Sequence, residues 1–306
     1  EGEEESGSNH LRPFLEKYRD RLRADVGVIS DTAMLEPNIP VITYGLRGLA
    51  YCEVTLQGPN RDLHSGVYGG AVENPINVLA RLIAGLHDEQ HRVTIPGFYD
   101  DVRPLTDEER ARFRELPFDE KQWLKDVGVS RSRTENGYSV YEATTARPTL
   151  DCNGIWGGYQ GEGAKTVLPA RASAKISMRL VPDQRPGPVA DMLRKYFEAN
   201  TPPTVKLTFR ELHGGDGSIV DTSHPAMRSA AAAMEEVFGQ TVHFVREGGS
   251  IPVVAELKEI LGISTVLMGF GLNSDSIHSP NERFGLDRFR QGIESVIGFV
   301  ARYGAS

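Results

Sequence analysis

ITYGLRGLAYCEVTLQG, residues 42–58, decides how the chain divides. Its apolar residues predict one long strand with a start softened by Gly45 and Gly48, and a domain boundary falls between Tyr44 and Gly48. Upstream, Pro37 and Pro40 break the chain. Before them, Val26, Val28 and Ile29 predict a short buried strand running out at Asp31. Acidic residues at the carboxyl ends of such strands lie where α/β sheets carry their chemistry, although an aspartate there also simply forms turns. Leu11, Phe14, Leu15, Tyr18 and Leu22 recur at helical spacing and predict a helix from about Asn9 to Arg23, capped by Ser8 or Asn9.

Downstream, a glycine-rich loop holding His64 leads into a helix whose expected inner face is Ile76, Leu79, Ile83 and Leu86. Taken singly, a loop histidine is more often surface decoration than function. Residues 100–145 are polar and charge-dense. Within them TDEERARFREL and FDEKQWLKDVG, punctuated by Pro104 and Pro117, predict exposed helices of an elaboration outside the core. Period-two alternation returns in ASAKISMRLVP, followed by a helix in GPVADMLRKYFEAN and a strand in TVKLTFREL. This order predicts helices on one face of an antiparallel sheet, an α+β ferredoxin-like arrangement. After a Gly/Asp-rich linker at 214–218, helix, strand, helix, strand and helix follow in α/β order, with a buried parallel strand. The expected organisation is an α/β domain in two parts, 1–45 and 214–306, interrupted by an inserted domain at 46–213.

The 306 residues are 39% apolar and 25% charged, as in an ordinary globular protein. A net charge of -8 argues against a nucleic-acid partner. No apolar run approaches the roughly 20 residues of a membrane span, so no membrane partner is expected. Cys52 and Cys152 stand in no metal or redox spacing; no disulfide framework is implied and a cytoplasmic location is the default.

The chemistry-bearing residues are oxygens and imidazoles. EGEEESGS, residues 1–8, sets Glu4 and Glu5 side by side, so that one can bind a metal while its neighbour faces a water. Read alone, such an acidic run is a solvated end. Glu5, Asp31 and His278 are candidate ligands whose donor types suit zinc, manganese or cobalt, and no compact motif such as HExxH ties them together.

EGEEESGS, ISD, ITYGLRG, DLHSGVYGG, GAKTVLP, MRLVPDQ, GGSIP and IHSPNE occur in this order along the chain. In that order they resemble the dinuclear-zinc metallopeptidase family of carnosinase, cytosolic non-specific dipeptidase, glutamate carboxypeptidase and aminoacylase. The resemblance covers essentially the whole chain, and the dipeptidase branch is similar through the long insertion as well. It implies a phosphorylase/hydrolase-like α/β catalytic domain interrupted by a lid and dimerisation domain, and two divalent metal ions. Glu4 matches the general base. Glu5 and His278 match the ligands of one metal, and Asp31 a ligand of the second. His64 matches a lid histidine that reaches the partner's active site across a homodimer and polarises the scissile carbonyl. Thr166 and Arg179 match contacts to the substrate carboxylate, and Ser250 a further polar contact. Gly248 and Gly249 match positions where bare backbone can approach a ligand.

Those roles are chemically coherent. Two divalent ions about 3.5–4 Å apart acidify a water and polarise an amide oxygen. A neighbouring carboxylate can take that water's proton and deliver it to the leaving amine. A guanidinium selects a free carboxylate through paired hydrogen bonds, and an imidazole can stabilise the developing oxyanion. The implied reaction is hydrolysis of a dipeptide, or of an N-acyl amino acid by a deacylase of the same family. A non-catalytic dimerisation module is the rival from another class. One departure stands out. The family's HxD-type histidine and its metal-bridging aspartate lie upstream of the acidic motif, in a segment this sequence does not contain. The expectation is therefore weak metal binding, no dipeptide hydrolysis by this chain alone, and exposed apolar surface where further strands would pack.

Overall fold

The computed structural model describes residues 2, 3, 8 and 10–305. In chain order the elements are α1 (Leu11–Lys17), β1 (Val26–Ile29), β2 (Val41–Leu46), β3 (Gly48–Gln57), β4 (Leu63–His64), α2 (Ser65–Tyr68) and α3 (Pro75–Ala84). Then come α4 (Asp107–Glu115), α5 (Glu120–Asp126), α6 (Val140–Thr145), β5 (Thr149–Gly157), β6 (Val167–Leu168), β7 (Arg171–Leu180), α7 (Pro186–Asn200) and β8 (Lys206–Gly215). The last are β9 (Ser218–Ile219), α8 (Pro225–Phe238), β10 (His243–Glu247), α9 (Pro252–Glu256), β11 (Ser264–Met268) and α10 (Leu286–Gly304). They form two compact units, one from residues 1–46, 105–123 and 218–306, the other from 47–104 and 124–217.

The first unit is built on a mixed sheet in the order β1-β11-β2-β10, with β9 added alongside β2. β1 runs parallel to β11, pairing Val26 with Ser264 through Ile29 with Leu267. β2 runs parallel to β10 and antiparallel to β11. All six residues of β2 are buried, as a central strand covered on both faces requires. α8 supplies Met227, Ala230, Ala233 and Met234 to the core beside Ile42, Val266 and Met268.

The second unit holds an antiparallel sheet in the order β5-β7-β3-β8. β3 alternates buried and half-buried along its whole length, and its buried residues Ala50, Cys52, Val54 and Leu56 meet Ala172, Ala174, Ile176 and Met178 of β7 in one core. α3 and α7 cover that face with Val78, Leu79, Leu82, Val189, Leu193 and Phe197. Asn74 caps α3, its side chain accepting from the Ile76 N–H at 2.9 Å. Tyr196 of α7 donates to the Leu82 carbonyl at 2.8 Å and ties the two helices together. The segment before β5 is pinned by Arg147, whose guanidinium donates to both carboxylate oxygens of Glu135 at 2.9 Å.

Four local expectations are corrected. The strand expected over 42–58 is two strands in two different sheets, broken at Arg47. Gly48 begins the second because a Cβ there would lie 2.6 Å from both the Gly215 carbonyl oxygen and the Gly217 nitrogen. The first helix stops at Lys17 and is followed by a single 3₁₀ turn at Arg19–Arg21, since only Leu15 of its apolar stripe finds a core. Its N-cap is His10, without a side-chain cap. In α3 the buried face is Val78, Leu79 and Leu82, with Ile76 and Ile83 half-buried against the same core, while Leu86 is fully buried there but lies beyond the helix end. Finally, α4 is not an exposed helix: Glu109 and Phe113 are buried.

Candidate functional site

The parallel β1–β11 pair positions the site. Because the two strands run in the same direction, the segments that follow them leave the sheet at one end, joined by a further bridge between Ala33 and Gly271. Those segments carry Asp31 and the 271–284 loop with His278. They line a cleft of about 800 Å³ in the first unit, together with Glu247, Gly249, Ser250 and Ile251 from the end of β10 and the loop after it. Asp31, His278, Gly249 and Ser250, four residues singled out in the sequence, thus border one cavity. Gly248 lies within the same turn. Glu4 and Glu5 lie outside the described residues.

The His278 loop is held from below by a buried ion pair. Arg288 of α10 grips Asp275 with two hydrogen bonds of 2.5 and 2.7 Å and also donates to the Phe270 carbonyl at 3.0 Å. Asp275 in turn accepts from the Leu272 N–H at 2.8 Å. The guanidinium holds the Asp275 carboxyl below its ordinary range. With that clamp beneath it, His278 keeps a left-handed backbone, φ +59°, which costs a β-carbon residue about 1–2 kcal/mol.

Glu247 is the residue sequence reasoning missed. It ends β10, and the Thr43 hydroxyl donates to its carboxylate at 3.4 Å. Burial pushes its carboxyl up to about 7, and the charge of Asp31 adds to this against hydrogen bonds from Thr43 and the Ala33 backbone. An acid closing a strand immediately before Gly248, Gly249 and Ser250 was a usable signal.

The second unit holds the other candidates. β4 pairs with β6, setting His64 opposite Val167, and the Ser65 N–H donates to the Thr166 carbonyl at 3.1 Å. His64 and Thr166, both exposed, therefore lie side by side on one short ribbon whose Leu168 is buried. His64 caps α2, its Nδ1 accepting from the Gly66 N–H at 3.0 Å. In the neutral ring this fixes the proton on Nε2, where it is available to donate. Arg179 lies elsewhere, on β7 between Leu49 of β3 and Thr149 of β5. Arg47 is beside it: burial, with the Arg179 charge adding, brings the Arg47 guanidinium down to about 10 against the pull of Asp151. Arg47 was not picked out from sequence, where it reads only as the polar member of a glycine-flanked turn.

The peptidase dimerisation domain model matches residues 44–205. The chain is 33% identical to the Cys-Gly metallodipeptidase DUG1 of Candida albicans over 99% of its own length and 64% of the relative's. It is 32% identical to the human Beta-Ala-His dipeptidase over 98% of itself and 60% of that protein. Its fold superposes on an M20-family metallo-carboxypeptidase of Sulfolobus solfataricus with a TM-score of 0.87 at 32% identity, covering 100% of this chain and 70% of the other. The chain belongs to the M20 metallopeptidase family. It spans about three fifths to two thirds of the length of the curated relatives it matches.

Membership implies divalent metal ions, and the cleft's donors fit them in kind: a carboxylate on Asp31, an imidazole on His278, no thiol. Among the described residues no three acidic, histidine or cysteine side chains form a group that could hold a metal. Asp31 and His278 are two candidate donors that border the cleft. Among the described residues, too, no helix is long and apolar enough to cross a membrane.

The Glu247 carboxyl makes a pH prediction. Its folded pKa lies above the ordinary 4.5, so its contribution to stability is fully present at low pH and is lost as pH rises to about 7. In metal-free protein, the difference in unfolding free energy between wild type and Glu247→Gln should change by up to about 2 kcal/mol between pH 8 and 5.5, favouring wild type on the acid side. Urea unfolding at the two pH values measures it; parallel pH profiles for the two proteins would contradict the assignment.

Proposed function

We propose that the whole protein is a dinuclear-metal dipeptidase that cleaves the peptide bond next to a free C-terminal carboxylate, with zinc as the principal metal and manganese or cobalt able to replace it. One observation carries the reading: Asp31, His278, Gly249 and Ser250, far apart in sequence, border a single cleft that also holds an acid of raised pKa. The names of the relatives agree with it, one acting on Cys-Gly and another on Beta-Ala-His.

In this reading Asp31 and His278 hold metal, with Glu5 as a further ligand. Divalent ions bound there supply Lewis-acid polarisation of the amide and acidify a water. Glu4 would serve as the general base, holding the proton that passes from water to the leaving amine. Ser250 hydrogen-bonds the substrate beside the bare backbone of Gly248 and Gly249. His64 would reach across a homodimer and donate from Nε2 to the carbonyl oxygen at the partner's site as that oxygen gains charge, and its Nδ1 bond to Gly66 keeps the ring in the tautomer that can donate. Arg179, with Thr166, takes the substrate carboxylate, and the neighbouring Arg47 adds a second positive charge to that region. An N-acyl amino acid presents the same carboxylate and the same amide, so a deacylase is the nearest rival.

The protein with its metals should hydrolyse dipeptides at least about tenfold faster, by kcat/KM, than N-acetylated amino acids, and Arg179→Met should cost about 2–4 kcal/mol of transition-state stabilisation on dipeptides. Preference for the N-acetylated series would transfer the reading to a deacylase, and no metal-dependent hydrolysis of either would leave only a dimerisation module.

A homodimer formed through the second unit completes the proposal. Its support is the edge strand β5, whose Ile155 and Trp156 are 55% and 40% exposed beside unpaired backbone groups. Replacing both by lysine should convert a dimer to a monomer in sedimentation velocity; a dimer that survives the change would place the interface elsewhere.

A further inference from the structure

Behind the cleft lies a buried ion pair that the proposed reaction does not use. β2 carries a bulge against β10: Val245 pairs with Thr43 and Arg246 with Gly45, so Tyr44 is the extra residue. A bulge disrupts the ladder locally and bends the strand that carries it, so regular pairing alone does not fix the end of the facing strand. On β10 the residues opposite and beyond it are Arg246, then Glu247, which lines the cleft, and then the turn through Gly249 and Ser250.

Arg246 is fixed from outside the sheet. Its guanidinium meets the Glu109 carboxylate at 2.5 Å, and both side chains are nearly buried. The Tyr44 hydroxyl donates to the same carboxylate oxygen at 2.6 Å, and Arg246 Nε donates to the Tyr44 hydroxyl at 3.4 Å. The arginine stem lies flat on Gly45, where a Cβ would come within 3.0 Å of Arg246 Cγ. Glu109 sits at the third position of α4, with the Thr106 side chain accepting from its N–H at 3.2 Å. That helix belongs to residues 105–123, which cluster with the first unit although the sequence on either side of them builds the second.

We propose that Glu109 is a positioning residue for the cleft: by clamping Arg246 at the bulge it sets the orientation of Glu247 and of the Gly248–Ser250 turn that contacts substrate. The proposal deepens the dipeptidase reading and rests on it for its consequence in catalysis. A buried carboxylate paired with a buried guanidinium stays in one arrangement because either charge alone would be left uncompensated. The turn beyond Arg246 contains two successive glycines and has little stiffness of its own.

The test uses the complete enzyme with its metals bound. Glu109→Gln removes the charge that faces the Arg246 guanidinium, and its folding can suffer for that reason alone. The double variant Glu109→Leu/Arg246→Leu removes both charges together and should melt close to wild type. In that double variant, amide hydrogen exchange over residues 246–251 should accelerate by about tenfold or more while the rest of the sheet keeps its protection. KM for a dipeptide should rise by about fivefold or more with kcat within about twofold of wild type. Unchanged exchange and unchanged KM would overturn the proposal, and so would a loss of protection spread evenly through the sheet. If wild type hydrolyses no dipeptide, the functional reading fails on its own, and the exchange measurement still decides whether Glu109 holds the turn.

Discussion

The parallel ladder between β1 and β11 is the constraint on which the candidate site depends. It joins the first strand of the chain to its last, in register from Val26–Ser264 to Ile29–Leu267. Parallel pairing sends the two exits to one end of the sheet. Asp31 and the loop carrying His278 therefore meet at one cleft although nearly the whole chain separates them. An antiparallel pairing of the same strands would put the two exits at opposite ends. The loop bearing the imidazole is held by the ion pair of Arg288 with Asp275, which itself borders the cleft, and within that loop His278 takes a left-handed backbone.

The two units collect opposite kinds of chemistry. The cleft of the first gathers acids, Asp31, Glu247 and Glu282, with an imidazole and Arg283 at its border. Burying a carboxylate in such a site is unfavourable, and the Glu247 carboxyl, raised chiefly by burial with the Asp31 charge adding, registers that cost. The second unit gathers guanidinium groups, with Arg47 and Arg179 close enough for one to weaken the other's hold on its proton. Acids suit cations, and guanidinium groups suit a carboxylate. Membership of a metallopeptidase family, which implies divalent metal ions, accords with an acidic cleft.

How far the sequence could be read follows from what each segment buries. β3 and β7 bury one face, so their period of two was legible, and the helices above them followed from apolar spacing. β2 buries every residue and carries no period, so nothing in it separated it from β3; only the close approach of backbone at Gly48 marks the break. α4 reads as solvated because DEERARFRE is almost wholly charged, and no rule of periodicity reveals that one of those acids is buried against Arg246 and Tyr44. Asp31, His278 and Ser250 were singled out through ordered motifs and border one cleft, while Glu247 and Arg47 escaped because their surroundings, not their spacing, set them apart.

The most direct test of the account is to locate the metal. Crystals of the whole protein grown with zinc and measured across the zinc absorption edge should show anomalous peaks in the cleft, with Asp31 oxygen and His278 nitrogen each about 2.0–2.2 Å from an ion. Peaks confined to other side chains, with Asp31 and His278 free of metal, would contradict it.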